Sequence, residues 1–162
     1  MNSKTSLAIQ QEQPEEIPCL MVPLAGRTLL MPTVTIAEMV SYSAPQAVDQ
    51  APDWLLGMVE WRNLQVPVLS FEVLNGEANP GTAIRSRLAV LNNTGVSDEL
   101  PFIAVPTQAI PKLVRVSGQD ITESEEPNQP FDHMRVEVDD EILVIPDISS
   151  LEQVYMEWLS RR

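Results

Sequence analysis

Cysteine and histidine each occur once in this chain of 162 residues, and glycine only six times. A lone cysteine, Cys19, forms no internal disulfide and fits a reducing compartment. Its place inside an apolar run marks it as a small buried hydrophobe. Basic residues are also few: ten Lys and Arg face 23 Asp and Glu, a net charge of −13. That balance excludes the clustered positive charge a nucleic-acid partner demands, and it opposes adhesion to anionic lipid. No apolar stretch approaches the length of a membrane span, and the N-terminal residues lack a basic, apolar, small-residue leader pattern. A cytoplasmic protein without membrane insertion is expected. Proline, in contrast, is plentiful at 14 residues, which suits short strands and turns better than long helices.

Catalytic signals are missing as well. His133 lies beside Asp132 in a polar stretch, but no nucleophile motif accompanies it, so a surface histidine is the better reading. The acidic runs Glu123, Glu125, Glu126 and Asp139, Asp140, Glu141 lack the alternating spacing and glycine turn of a calcium loop. They read as solvated charge. Neither a glycine-rich phosphate loop nor Cys/His metal spacing occurs. No enzyme activity, catalytic residue, metal or cofactor is expected.

The informative stretch is Trp54 to Leu74, WLLGMVEWRNLQVPVLSFEVL. Two apolar runs, Met58 to Trp61 and Val66 to Phe71, flank the polar corner Arg62-Asn63 and read as strands joined by a tight turn. Asn63 tolerates the left-handed conformation that a two-residue turn demands. Gly57 permits positive φ or close approach of another backbone. Pro67 donates nothing to a ladder and favours an edge strand or a bulge. Trp54, Trp61 and Trp158 are apolar anchors for which burial is the default.

Around this hairpin the chain is a series of short strands. Residues 17 to 24 and 27 to 31 flank an Ala25-Gly26 turn, and IAEMV (36 to 40) fits either a strand or one helical turn. Ser41 to Asp53 and 75 to 84 are loops. Leu88 to Leu91, Leu100 to Val105 and Ile110 to Val116 are strand candidates. Residues 117 to 130 form a solvated acidic loop, and a last hairpin turns at Asp139-Asp140. Ile148, Leu151, Tyr155, Trp158 and Leu159 then share one face at helical spacing. Ser149 with Glu152 reads as a capping box for this terminal amphipathic helix, which docks either on its own domain or on a partner. Nine or ten strands and one helix imply an all-β domain, and periodicity alone leaves sandwich and barrels both open.

The pattern W-[LIF]-x-G-x-x-x-x-R-x-x-x-x-P-[VI]-[LIV] across the hairpin resembles the centre of the CheW-like domain, the coupling module of bacterial chemosensory arrays. IPCLMVPLAGRTLLMP and TVTIAEMV before it, and RSRLAVLNN, LPFIAVPTQAIPKLVRVSGQDI and MRVEVDDEILVIPDISSL after it, follow in that family's order. The resemblance implies two small five-stranded SH3-like barrels, packed side by side with an apolar seam, and a C-terminal amphipathic helix. It places the domain at 17–152 and the rest of the helix at 153–162, while residues 1–16, polar and ending in QQEQPEE, read from their composition as a disordered acidic leader. It also implies a non-enzymatic scaffold of a two-component chemotaxis system. Its partners would be the regulatory domain of a CheA-type histidine kinase and the cytoplasmic tip of a methyl-accepting receptor.

Residue by residue, the resemblance carries partner binding onto Arg62 and Glu38, with Ile36, Gly57 and Val68 as neighbouring apolar or backbone surface. Read without the family, Arg62 is either a salt-bridged hairpin residue, its partner Glu38 or Glu60, or an arginine at an apolar edge that anchors an interface. The chain departs from the family pattern at Asn63, where glycine is common, and at Ser70 and Pro106, where aspartate is expected. These departures point to a divergent branch, one serving type IV pilus motility. Two alternatives stand beside the adaptor reading: a small-ligand-binding β-barrel with its pocket at the seam, and a CheW-like protein whose protein partner has changed.

Overall fold

The computed structural model describes residues 15–162. The expected leader lies outside this range apart from Glu15 and Glu16, and Glu16 already opens the first strand. Strands β1 (Glu16–Leu24) and β2 (Arg27–Pro32) form a hairpin whose two-residue turn closes through Gly26 at φ +74°. One 3-10 turn, Thr33–Thr35, leads into β3 (Ile36–Ser41), so the ambiguous IAEMV segment is a strand. The central hairpin follows as β4 (Leu55–Trp61) and β5 (Leu64–Leu69). A four-residue helix, α1 (Phe71–Leu74), is capped by Ser70 Oγ, which accepts the Val73 N–H at 3.2 Å. Phe71 therefore starts a helix where the sequence suggested the end of a strand.

Beyond a long loop come β6 (Arg87–Asn92), β7 (Phe102–Pro106) and β8 (Lys112–Ser117). A two-residue strand, β9 (Thr122–Glu123), lies within the segment read as solvated loop. The last hairpin is β10 (Asp132–Val138) with β11 (Glu141–Pro146), and α2 (Ile148–Ser160) ends the fold. Asp139 and Asp140 adopt φ +50° and +64°, both left-handed. Short polar side chains tolerate this region, so Asp-Asp makes the turn without glycine.

The strands form two sheets, each curled into an SH3-like barrel. One has the order β3-β6-β7-β5-β4, and the other β8-β1-β2-β11-β10-β9. The N-terminal hairpin therefore belongs to the same barrel as the C-terminal one, joined by parallel pairing of β2 with β11 at Leu29 and Val144. Alternation along each strand sends side chains to two different cores. On β6, Leu88 and Val90 fill the interior of the first barrel, while Ala89 and Leu91 face the shared seam. On β2, Leu30 points into the second barrel and Leu29 and Met31 into the seam. Strands buried on both faces read as continuous apolar runs, which is why these stretches lack polar alternation.

The seam is the largest core. It gathers residues of both barrels around Phe71 and is roofed by Ile148, Leu151 and Tyr155 of α2, so the terminal helix packs on its own domain. A polar stitch joins the barrels at one end. Asn75, just beyond α1, donates through Nδ2 to buried Asp132 Oδ1 at 3.1 Å and accepts the Phe131 N–H at 2.7 Å. Arg135 donates to the other Asp132 oxygen at 3.0 Å.

Two expectations require correction. Pro67 lies on an inner strand, β5, opposite Met58 rather than on an edge or bulge. The parallel pairing of β5 with β7 is registered at Val68 and Ala104 alone, a ladder short enough to accommodate one missing donor. The capping box is also not formed. Asp147 is the N-cap, accepting the Ser150 N–H at 3.1 Å and the Ser149 hydroxyl at 2.9 Å. Glu152 is instead 1 % exposed and accepts both the backbone N–H and the hydroxyl of Thr94, pinning α2 to the loop after β6.

Three outcomes follow from these contacts. A Cβ on Gly57, at φ +142°, would sit 2.3 Å from the Gln46 carbonyl oxygen. Gly57→Ala is therefore expected to lower stability by roughly 2–4 kcal/mol in urea denaturation, through backbone strain and overlap together. Glu152→Ala removes two hydrogen bonds from Thr94 to a charged acceptor and is expected to cost roughly 1–3 kcal/mol, whereas Ser149→Ala costs about 1 kcal/mol or less. Burial alone would raise the Asp147 carboxyl, but hydrogen bonds from Ser150 and Ser149, with attraction from His133, hold it below its ordinary value. Its contribution is present above the unfolded-state pKa of about 4 and lost as pH falls through the folded value. Asp147→Asn keeps a capping oxygen, so its stability deficit against wild type should shrink below about pH 4 in pH-dependent denaturation.

Candidate functional site

The turn between β4 and β5 is built by register. Trp61 pairs with Leu64, leaving Arg62 and Asn63 as the two turn residues, at φ +48° and +64°. Both are left-handed, the signature of the type I′ turn whose twist matches flanking strands. Asn63 thus meets the demand that glycine meets elsewhere, and Arg62 pays the same steric strain with a larger side chain. At the other end of β4, an irregularity between Leu55 and Gly57 and a two-way backbone bridge from Gln46 to Met58 fix the strand. Gly57 is buried beneath that bridge.

Glu38 reaches the turn from β3. A bulge between Ile36 and Glu38 shifts the register against β6 and re-aims the carboxylate. Glu38 Oε1 accepts from Trp61 Nε1 at 2.9 Å and from Arg62 Nη2 at 3.2 Å. The Arg62 guanidinium lies over the Trp61 ring, 4.5 Å from its centroid. Trp61 in turn meets Phe102 edge-to-face at 4.7 Å. β3 and β4 are the two outermost strands of this sheet, so the Glu38 carboxylate closes the barrel with side chains where no ladder does.

The group is half in water. The Arg62 and Glu38 side chains are 67 % and 44 % exposed, whereas Trp61 is buried. An ion pair that exposed contributes little to stability. What it does is hold a mostly exposed guanidinium over an aromatic ring. A planar cation pre-positioned on an apolar support is the kind of group that anchors protein interfaces.

The structure brings Arg62 and Glu38 together, and identifies Glu38 rather than Glu60 as the ion-pair partner. Ile36 stands at the head of β3, partly buried against the seam core. Val68 is not surface. It is completely buried inside the first barrel, between Gly57 on β4 and Ala104 on β7, because β5 is an inner strand. Gly57 is likewise covered by Gln46. Neither presents atoms to a partner, so both act by setting the hairpin. Trp61, a core anchor by sequence, is also the member that links carboxylate and guanidinium. Its position immediately before the arginine of a two-residue turn was the available signal.

Among the described residues, no group of three or more His, Cys, Asp or Glu is arranged to hold a metal ion. Cys19 is buried, and that burial pushes its thiol above the ordinary value. Among the described residues, no helix is long and apolar enough to cross a membrane.

Comparison with known proteins bears on the fold as a whole. No curated protein sequence matches the chain. Among solved structures, the crystal structure of the scaffolding protein TtCheW from Thermoanaerobacter tengcongensis is similar, with a TM-score of 0.70 at 15 % identity, covering 83 % of this chain and 86 % of that one. The sequence itself matches the CheW-like domain over residues 18–154. With two SH3-like barrels sharing one seam and a match across most of its length, the chain belongs to the CheW-like domain family.

Proposed function

We propose that this protein is a non-enzymatic adaptor that couples a chemosensory receptor to its histidine kinase. Its partners are the regulatory domain of a CheA-type kinase and the cytoplasmic tip of a methyl-accepting receptor, and it works in the cytoplasm. The observation that carries this reading is the Glu38–Trp61–Arg62 group, an outward-facing cation held rigid by a barrel-closing carboxylate. Family membership supplies the context. The mechanism is mutual positioning: a rigid body with two contact surfaces raises the effective concentration of one partner near the other and biases the kinase between states. The departures at Asn63, Ser70 and Pro106 favour service in a pilus-motility system over flagellar chemotaxis.

The geometry makes Arg62 separable from folding. Its side chain is mostly exposed and its ion pair adds little stability. Arg62→Glu is expected to keep the wild-type circular dichroism spectrum and to weaken binding to the isolated kinase regulatory domain by roughly ten-fold or more, measured by calorimetric titration at physiological salt. Wild-type affinity in the folded variant would remove the site assignment. Absence of binding by the wild-type chain would point to a changed partner.

A further inference from the structure

The edge of the second barrel at β8 carries unmade hydrogen bonds. β8 stands at the end of its sheet, paired with β1 alone. In that pairing Pro18 lies opposite Arg115 and has no N–H to give. The continuous register therefore makes Ile17–Val116, Cys19–Val114 and Met21–Lys112 the bonded pairs, and the residues between them on β8 turn their main-chain groups outward. Ser117 conforms: its N–H donates to Asp120 Oδ2 and its carbonyl accepts the Asp120 N–H, both at 3.0 Å. The N–H and C=O groups of Leu113 and Arg115 point the same way, where no further strand of the sheet follows.

A groove of about 270 Å³ runs beside this edge, between β8 and the β10–β11 turn. Val114 and Val116 of β8 line it with Met21, Leu30, Val138 and Leu143, which gives it an apolar floor. Lys112 and Arg115 stand on its β8 side, and among the described residues neither enters an ion pair. Asp139 and Glu141 stand on the far wall, while Asp120 is held by the Ser117 N–H and hydroxyl. Leu113, next along the edge, is 61 % exposed.

We propose that β8 receives an extended segment of a partner protein as an added strand, its inward side chains apolar and an outward carboxylate beside Arg115. Free main-chain groups two residues apart call for a strand, because a helix has already spent its own on itself. Alternation sends every second side chain of that strand into the apolar groove, where the Asp139 and Glu141 wall disfavours a carboxylate. The remaining side chains stand beside Leu113 and Arg115, and an acidic group opposite an unpaired arginine is a favourable cross-strand pair. A second copy of this chain would set two strands bearing Lys112 and Arg115 side by side, with a net charge of −13 on each molecule. The edge belongs to the second barrel and the Arg62 turn to the first, so this reading holds or fails apart from the adaptor assignment.

The test is amide hydrogen exchange of the full chain, read by nuclear magnetic resonance with and without the peptide acetyl-VEVEV-amide. In the free chain the amides of Val114 and Val116 are expected to be protected and those of Leu113 and Arg115 to exchange quickly. The peptide should protect Leu113 and Arg115 saturably, and acetyl-VKVKV-amide, which the acidic surface attracts more strongly at large, should not. Arg115→Glu should weaken binding of the acidic peptide roughly five-fold. No added protection at Leu113 and Arg115, equal protection by the basic peptide, or undiminished affinity in folded Arg115→Glu would each overturn the proposal. Protection of both amides before any peptide is added would overturn it too, and a dimer in sedimentation would then name a second copy as the occupant. The wild-type comparison of the two peptides decides the matter even if the variant does not fold.

Discussion

The fold depends on burial at the seam. Each barrel interior holds a smaller set of apolar side chains than the seam between them, with Trp61 the one large aromatic residue fully inside the first. The larger core forms only when the outer faces of both sheets meet around Phe71 and α2 covers the remaining side. Neither barrel is a complete unit by this measure. Strands such as β2, β6 and β7 must therefore be apolar on both faces, and that double burial gives the chain its short uninterrupted runs of Leu, Val and Ile.

A rigid seam leaves the ends of the first barrel to carry polar chemistry. At one end a carboxylate, an indole and a guanidinium join strands that have no backbone ladder between them. At the other end Leu56 of β4 and Ser70, just beyond β5, line a cavity together with Glu72. The β4–β5 pair thus runs between the two polar sites, and its register, set by a type I′ turn and a bare α-carbon at Gly57, places both.

Much of this was legible from residues. Arg62-Asn63, Ala25-Gly26 and Asp139-Asp140 all turned the chain where their conformational tolerances placed them, because two-residue turns are decided locally. The terminal helix was legible from its period. Partner identity between distant elements was not. Ser149 and Glu152 have capping-box spacing, yet Asp147 took the cap and a tertiary contact with Thr94 took the glutamate. Val68, placed at the surface by the resemblance, is buried because β5 is an inner strand, and a strand sequence does not reveal whether it lies at an edge or inside a sheet. Pro67 misled for the same reason. Glu38 and Trp61 are 23 residues apart, and nothing short of barrel closure puts the indole on the carboxylate.

The order of strands in the second barrel has a consequence for biosynthesis. Strands β3 to β7 are consecutive, so their sheet is complete once residue 106 has emerged from the ribosome. The first hairpin, made earliest, finds its neighbours only in β8 and β11, and β11 is more than a hundred residues downstream. Until then the outer edge of β2, with Leu29, Leu30 and Met31, is paired only on the β1 side. Such late, non-local pairing slows folding and leaves apolar edges open to wrong partners. The nascent chain therefore passes through an interval in which an early-made apolar edge waits for a late-made partner, and that is where a chaperone would have something to hold.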